Sequence, residues 1–360
     1  MTLRAVYDLD AYGYDLPGAQ IAQVPAEPRD SARLLVWDVK GGAREHHVFR
    51  EFPDLLNPGD LLALNDTRVL PARLCGHRKG SGGGVEILLL SPLEPDFRRW
   101  RALVRPGRRL REGAEVLVGE RTLLIEGQED GGVRLVRVGA GRENVLTFLN
   151  RHGRMPLPPY IRAADPLRAR EAYQTVFARK NGSAAAPTAS LHFTEGVLAR
   201  IRERGAAVAW TTLHVGLGTF RPVKSRDIRE HPIHSEWCEV PEATEAAVRE
   251  CRARGGRVVA SGTTVARTLE SMAEEKGLVR AGAMETRLFI YPGFVFRVVD
   301  ALLTNFHLPR SSLLMLTAAF AHNRGGGEEE AALTALRETY SLAVAEGYRF
   351  FSFGDAMFIK

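Results

Sequence analysis

The chain has 360 residues, 45% hydrophobic and 26% charged, with a formal net charge of +6 at pH 7. This is the make-up of ordinary globular material, long enough for two domains or for one large domain with an insertion. It contains no run of the ~18 apolar residues that a spanning helix needs, no uninterrupted apolar core for a signal peptide past Arg4, Asp8 and Asp10, and no CxxC pair or disulfide framework among Cys75, Cys238 and Cys251.

These features point to a cytosolic chain with no membrane contact and with cysteines buried as small apolar residues. The basic balance permits a polyanionic partner without requiring one. In chain order, Pro17, Gly18, Pro25 and Pro28 make a turn-rich opening. A polar cluster, Arg29, Asp30 and Ser31, then precedes a strand over residues 32–39 that Gly41 and Gly42 close. After an amphipathic piece at 49–56, a strand at 61–64 ends in Asn65, Asp66, Thr67 and Arg68. All four side chains can hydrogen-bond a ligand, and the same residues also build Asx turns.

From residue 69 the texture changes to short β-like runs separated by glycine-rich turns, which predicts an inserted all-β module over 69–149. The main domain is then discontinuous, 1–68 and 150–360. Within the insert Arg98, Arg99, Arg101, Arg105, Arg108, Arg109 and Arg111 surround Trp100. Arginine beside an aromatic suits RNA, through phosphate contacts and base stacking. A solvated surface is the plainer reading. A short helix follows at 144–152, then GRMPLPPYI, whose prolines stiffen the backbone and expose Met155 and Tyr160. That segment reads either as a hinge or as a rigid wall for a flat ligand.

A helix over 165–178 leads to the stretch the chain is organised around, which carries APTASLHFT and LHVGLGTF. Pro187, Thr188 and Ser190 disfavour helix, while Val197, Leu198 and Ile201 share one helical face, so Thr194 reads as an N-cap. His192 and Phe193 stand just before that helix, where free N–H groups favour an anion. A strand at 207–215 brings His214 to its end, and Gly216 and Gly218, followed by Thr219, let the backbone approach a ligand closely. One histidine near a turn is ordinarily structural. Two such motifs, one helix and one strand apart, argue for function, because open α/β sheets bind ligands at strand carboxyl ends.

His231, His234 and Glu236 lack HExxH spacing and are separated by prolines, so no metal is expected. A helix at 242–254 and the strand RVVA precede SGTTVARTLES, where Gly262 turns the chain and Thr263 or Thr264 caps a helix that accepts anions. Neither GxGxxG nor GxxxxGK[ST] is present. ETRLFIY and FRVVDALLTNF read as strands flanking PGF. Asn305 and His307 then introduce a buried helix, an amphipathic helix spans 328–346, and YRFFSFGDAMFI reads as the last strand. This alternation predicts an α/β main domain.

APTASLHFT, LHVGLGTFRPV, LNDTRVLPARL, GRMPLPPYI, HSEWCEV, SGTTVARTLES, IYPGFVF, TNFHLPRSSLLMLTAAFA and YRFFSFGDAMFI resemble, in order, the S-adenosylmethionine:tRNA ribosyltransferase-isomerase family of the queuosine pathway. The likeness runs from YDLP near residue 14 to the C-terminus. It departs at Ser190, where the family has glycine, at His322, where glycine is usual, and at Phe353, where tyrosine is frequent. A family glycine with positive φ would leave Ser190 strained.

The resemblance implies an α/β, barrel-like main domain with a mixed sheet and an inserted small β-barrel. It implies a bacterial enzyme that moves the ribosyl portion of S-adenosylmethionine onto 7-aminomethyl-7-deazaguanine at the tRNA wobble position. Epoxyqueuosine forms, and adenine and methionine leave. S-adenosylmethionine is then a co-substrate, no separate cofactor is expected, tRNA is the partner, and nothing in the helix faces demands more than a monomer. Such chemistry needs a base beside the sulfonium and stabilisation of departing adenine. His192, His214 and Asp66 are the catalytic candidates, with Glu236 and His307 in reserve. Thr263 and Thr264 are candidates for the methionine carboxylate, and Asn65 and Asn305 for base edges. Thr67, Arg68, Pro187, Thr188, Phe193, Thr194, Gly216, Gly218, Thr219, His234 and Gly262 complete the expected binding set. A methyltransferase would show a glycine-rich loop after an early strand, which is missing. A plain RNA-binding module would leave the His and Thr motifs structural.

Overall fold

The structure is a computed structural model that describes residues 4–162, 166–216 and 223–360. It opens with β1 (Arg33–Trp37), β2 (Arg44–Val48), β3 (Leu61–Asn65) and β4 (Thr67–Val69). The insert supplies β5 (Arg73–Arg78), β6 (Gly84–Pro92), β7 (Arg99–Arg105), β8 (Glu115–Val118), β9 (Arg121–Gln128) and β10 (Arg134–Val138), followed by helix α1 (Val145–His152). Then come α2 (Pro166–Ala172), β11 (Lys180–Ser183), α3 (Glu195–Glu203), β12 (Ala207–Leu213), β13 (Glu236–Val240), α4 (Glu242–Ala253) and β14 (Val258–Ser261). The chain ends with α5 (Thr263–Ser271), β15 (Gly282–Thr286), β16 (Ala301–Asn305), α6 (Ser312–Gly325), α7 (Glu329–Ala345) and β17 (Ala356–Ile359).

Nine strands form one mixed sheet in the order β15-β13-β12-β3-β14-β16-β17-β1-β2. Its centre, β12-β3-β14-β16, is parallel throughout. Strands with apolar residues on both faces feed two layers by simple alternation. Leu61 and Ala63 face the layer that holds α4, α5, α6 and α7, while Leu62 and Leu64 face the layer of α3 and the 3-10 turn Phe49–Leu55. Leu35 and Trp37 against Leu34 and Val36, and Met357 and Ile359 against Ala356 and Phe358, repeat the division. The result is a three-layer α/β architecture.

The insert closes into a six-stranded antiparallel barrel, β10-β7-β6-β5-β8-β9. The mixed-sheet main body and the small inserted β-barrel match the expected fold class. Closure belongs to the insert, since the main sheet has two ends at β15 and β2. The barrel is clamped where it leaves and rejoins the main body. Arg73 and Arg154 exchange both backbone hydrogen bonds, at 3.1 and 2.9 Å, β4 pairs in parallel with β11, and Gly153 packs so tightly on the Pro71 carbonyl that no Cβ fits there.

Several elements are shorter than the sequence suggests. The expected helix at 165–178 persists only as Pro166–Ala172, the final strand only as Ala356–Ile359 and FRVVDALLTNF only as Ala301–Asn305, while the strand expected at ETRLFIY is displaced to Gly282–Thr286 and leaves 287–291 outside any strand. Strands β2, β4, β11 and β13 were not expected as strands. Each is short; β4, β11 and β13 are held by neighbours distant in sequence, and β2 is a polar strand, REHHV, paired to β1 across the Gly41-Gly42 turn. Cys238 and Cys251 are buried as expected, whereas Cys75 is exposed on the barrel. Among the described residues, no helix is long and apolar enough to cross a membrane.

Candidate active site

Strand β3 is the earliest of the parallel block, and its neighbours β12 and β14 lie on opposite sides of it. That reversal of strand order makes a crevice at the carboxyl edge, the general ligand position in open α/β sheets. The polar clusters Asn65-Asp66, His214-Gly216, Ser261-Thr264 and Asn305-His307 all fall on this edge because their strands are parallel. A cleft of about 1080 Å³ opens there. Its walls come from the ends of β14 and β16, the start of α5, the Thr188 turn, the His231–Glu236 segment and the proline-rich segment at Pro158–Tyr160. The rigid-wall reading of those prolines fits at Pro158–Tyr160, whereas Met155 is buried in a small apolar cluster rather than exposed.

Pro187, Thr188, His234, Glu236, Gly262, Thr263, Thr264, Asn305 and His307 all line this cleft. Helix α5 starts at Thr263, and its N-cap is Gly262 rather than a threonine, with φ 95° and no side-chain cap. The helix's first-turn N–H groups have no intrahelical acceptor by construction. Asn305 at the end of β16 is 3% exposed. Thr188 Oγ1 donates to its Oδ1 at 2.8 Å, which fixes the amide, and Nδ2 is left without a partner. A buried amide donor with nothing to donate to costs about 1–3 kcal/mol, so it calls for an acceptor from a ligand.

His307 shares a 2.8 Å hydrogen bond between Nε2 and Thr304 Oγ1. Its backbone N–H donates to Tyr340 Oη at 3.1 Å and its carbonyl accepts from Tyr14 Oη. Burial pushes its imidazole down to about 3, so it stands neutral in the cleft wall. Glu236 accepts from the Gly216 N–H at 2.8 Å and from Arg267 Nη1. Arg267 was not singled out in the sequence. Its signal was its place one turn beyond Thr263, where an α-helix superimposes residues four apart.

Other expected site residues lie outside the cleft wall. Asn65 is fully buried and uses all its hydrogen-bonding capacity within the protein: Nδ2 donates to Leu213 O and Thr264 Oγ1, and Oδ1 accepts from the N–H groups of Thr67 and Leu213. It ties β3, β12 and α5 together. Asp66 is engaged by Thr212 Oγ1 at 2.6 Å and Arg179 Nη2 at 2.9 Å. Thr67 Oγ1 lies 2.8 Å from His214 Nδ1, and the His214 ring stacks on Trp237 at 5.0 Å. Arg68 is exposed on β4.

His192 and Phe193 face the opposite layer of the sheet. His192 is 4% exposed and packs 5.0 Å from the Phe49 ring, with Nε2 unpaired. Burial holds both His192 and His214 down to about 4. Thr194 does cap α3, accepting from Val197 N at 3.2 Å. Gly218 and Thr219 lie outside the described residues. Ser190 sits in a 3-10 turn without positive φ, and its hydroxyl is 2.9 Å from that of Ser261, so the expected strain is absent.

The arginine cluster divides. Trp100 points into the barrel core at 1% exposure, because strand alternation puts Trp100, Ala102 and Val104 inside. It is corrected from base-stacking residue to core residue. Arg99 and Arg101 are tied to Glu126 and Glu129, at 2.8 and 2.9 Å. Arg98 lies beside Asp96, while Arg105, Arg108, Arg109 and Arg111 are exposed.

The class these observations define is an α/β protein with a ligand cleft at the carboxyl edge of a mixed sheet and a closed barrel on a clamped insertion. Residues 9–359 match the family described as "Queuosine biosynthesis protein". A Moorella thermoacetica protein named S-adenosylmethionine:tRNA ribosyltransferase-isomerase is 50% identical over 355 residues, covering 98% of this chain and 99% of its own. A Gloeobacter violaceus protein of the same name is 52% identical, covering 97% of this chain and 95% of its own. The crystal structure of S-adenosylmethionine tRNA ribosyltransferase from Thermotoga maritima shares 37% identity, with a TM-score of 0.54 and coverage of 97% of this chain and 100% of that one. The chain belongs to the S-adenosylmethionine:tRNA ribosyltransferase-isomerase family of queuosine biosynthesis, and it is an enzyme of the transferase-isomerase class.

Proposed function

We propose that the cleft binds S-adenosylmethionine beside a tRNA wobble nucleotide carrying 7-aminomethyl-7-deazaguanine, and transfers and isomerises the ribosyl unit to give epoxyqueuosine. Adenine and methionine leave. The observation that carries this reading is the unpaired Asn305 Nδ2 beside the uncapped start of α5, in a cleft of about 1080 Å³ at the sheet's switch point. Several moieties fit such a cleft together. No separate cofactor is needed, because a sulfonium acidifies its neighbouring carbon and is itself a good leaving group.

Within this reading His307, which lines the cleft with its Nε2 held at Thr304 Oγ1, is the imidazole placed to take the proton beside the sulfonium. His192 and His214, with Asp66, serve to hold α3 and the end of β12. Asn305 donates to an acceptor on adenine or deazaguanine, and the first turn of α5 receives the methionine carboxylate. Exposed Arg105, Arg108, Arg109 and Arg111 on the barrel meet tRNA phosphates. The enzyme acts in the cytoplasm as a monomer.

The test is to incubate the protein with S-adenosylmethionine and tRNA bearing the aminomethyl-deazaguanine base, then assay free adenine and the mass of the modified nucleoside. Adenine together with the ribosyl-derived mass increment supports the reading. A radiolabelled methyl group in the RNA, or tRNA binding with no adenine release, removes it.

A further inference from the structure

We propose that Arg267 is the specificity anchor for a carboxylate in the cleft, with Glu236 as the positioning residue that aims it. The inference rests on S-adenosylmethionine occupying the cleft, and it assigns the amino-acid end of that molecule to this corner.

Arg267 lines the cleft and is 8% exposed. Its guanidinium is held at two of three nitrogens: Nε donates to the Leu288 carbonyl at 3.0 Å, and Nη1 donates to Glu236. Nη2 is buried and has no acceptor. The Glu236 carboxylate is itself occupied, by Arg267 and by the Gly216 N–H. The fork is therefore fixed in place while one corner stays unsatisfied. An unpaired guanidinium N–H out of water is a costly arrangement unless a ligand completes it.

The shape of the helix says where the corner lies. Arg267 belongs to α5, one turn beyond Thr263, and helical side chains lean toward the N-terminus. The guanidinium is thus on the side of the cleft where the α5 start presents its free amides. Arg267 Nη2 and the first-turn amides of α5 are donors without an acceptor in the protein's own helix or side chains. A nucleobase edge offers donors beside its acceptors and leaves some of its own groups unmatched here. A carboxylate is acceptor-only and answers amides and guanidinium together. Arg267 and Glu236 already neutralise each other, so the attraction comes from aligned donors and the helix dipole rather than from bare charge. A phosphate of tRNA has the same acceptor chemistry, but a corner this buried suits a small molecule's terminal group.

The test compares ligands rather than relying on one variant. Titration calorimetry measures S-adenosylmethionine and its decarboxylated analogue, which keeps the adenosine and sulfonium, against wild type, Arg267→Met and Arg267→Lys. Wild type should prefer the carboxylated ligand by about 30-fold, the size of one charge-assisted contact. Arg267→Met should bind both ligands alike, at the weaker level. If that variant does not fold, Arg267→Lys retains an ammonium for Glu236 but loses the fork, and its preference should shrink to within about 3-fold. Equal weakening of both ligands in either variant gives Arg267 a purely structural role and overturns the proposal, as does a wild type indifferent to the carboxylate. Loss of tRNA affinity in Arg267→Met with ligand preference unchanged assigns the corner to phosphate and overturns it as well. Failure of wild type to bind S-adenosylmethionine at all removes the functional reading and this inference with it.

Discussion

At the scale of single residues, Ser190 shows how a departure from a family pattern is absorbed. Its backbone avoids positive φ and its hydroxyl meets Ser261 inside the protein. Ser190→Gly should therefore lower stability, by about 1 kcal/mol from the lost hydrogen bond and added chain freedom, in a urea titration. A gain in stability would mean that the turn is strained after all. Trp100→Ala should cost about 3–5 kcal/mol, as core aromatics do, and any loss of tRNA binding should track unfolding rather than precede it. Asn305→Ala should raise KM or lower kcat by about 10-fold, beyond a modest drop in melting temperature from losing the acceptor of Thr188 Oγ1, because it also removes a donor that the protein itself leaves unused. An unchanged rate would release Asn305 from the site.

At the scale of elements, the start of α5 is the most exacting feature. Gly262 turns β14 into the helix at φ 95°, a conformation that glycine accepts and other residues resist. Gly262→Ala should destabilise by ~1 kcal/mol or more and shift the first-turn amides, weakening S-adenosylmethionine binding more than tRNA binding. Equal affinity in both proteins would contradict the role given to this turn. The glycine turn was legible in SGTTVARTLES, although the cap fell on Gly262 and not on a threonine, as were the strand ends at Asn65 and Asn305 and the Thr194 cap. The face of the sheet that each side chain meets was not. His192 stands before a helix N-terminus as its motif suggested, yet that helix packs on the layer away from the cleft. A local pattern fixes where an element ends, whereas the layer it joins depends on pairings between residues far apart, such as Leu61 with Ala207 and Val258. The same reason hid β13 and β4. Arg267 was missed because a lone arginine in a helix carries no sign of its partner Glu236, whose strand lies 31 residues earlier.

At the scale of the whole molecule, three buried imidazoles link stability to pH. His192 and His214 are held near 4 and His307 near 3 by burial, while an unfolded imidazole titrates near 6.5. Below about 6.5 the unfolded chain takes up protons that the folded one refuses, so this stability is complete above that pH and is lost as pH falls toward the folded values. The urea midpoint should drop between about pH 7 and pH 5, and His307→Asn should flatten part of the slope. A midpoint level across that range would mean these rings reach water.

The clamp where the barrel departs and returns has an evolutionary reading. Pro71 and Arg73 touch Gly153 and Arg154, so the two cut points for the whole module lie a peptide's width apart, and β4 and β11, which flank it, pair directly with each other. A short link across that gap should leave an excised main body able to fold. The barrel then has the anatomy of a cassette, free to be exchanged or reshaped while the cleft of the main body stays in place.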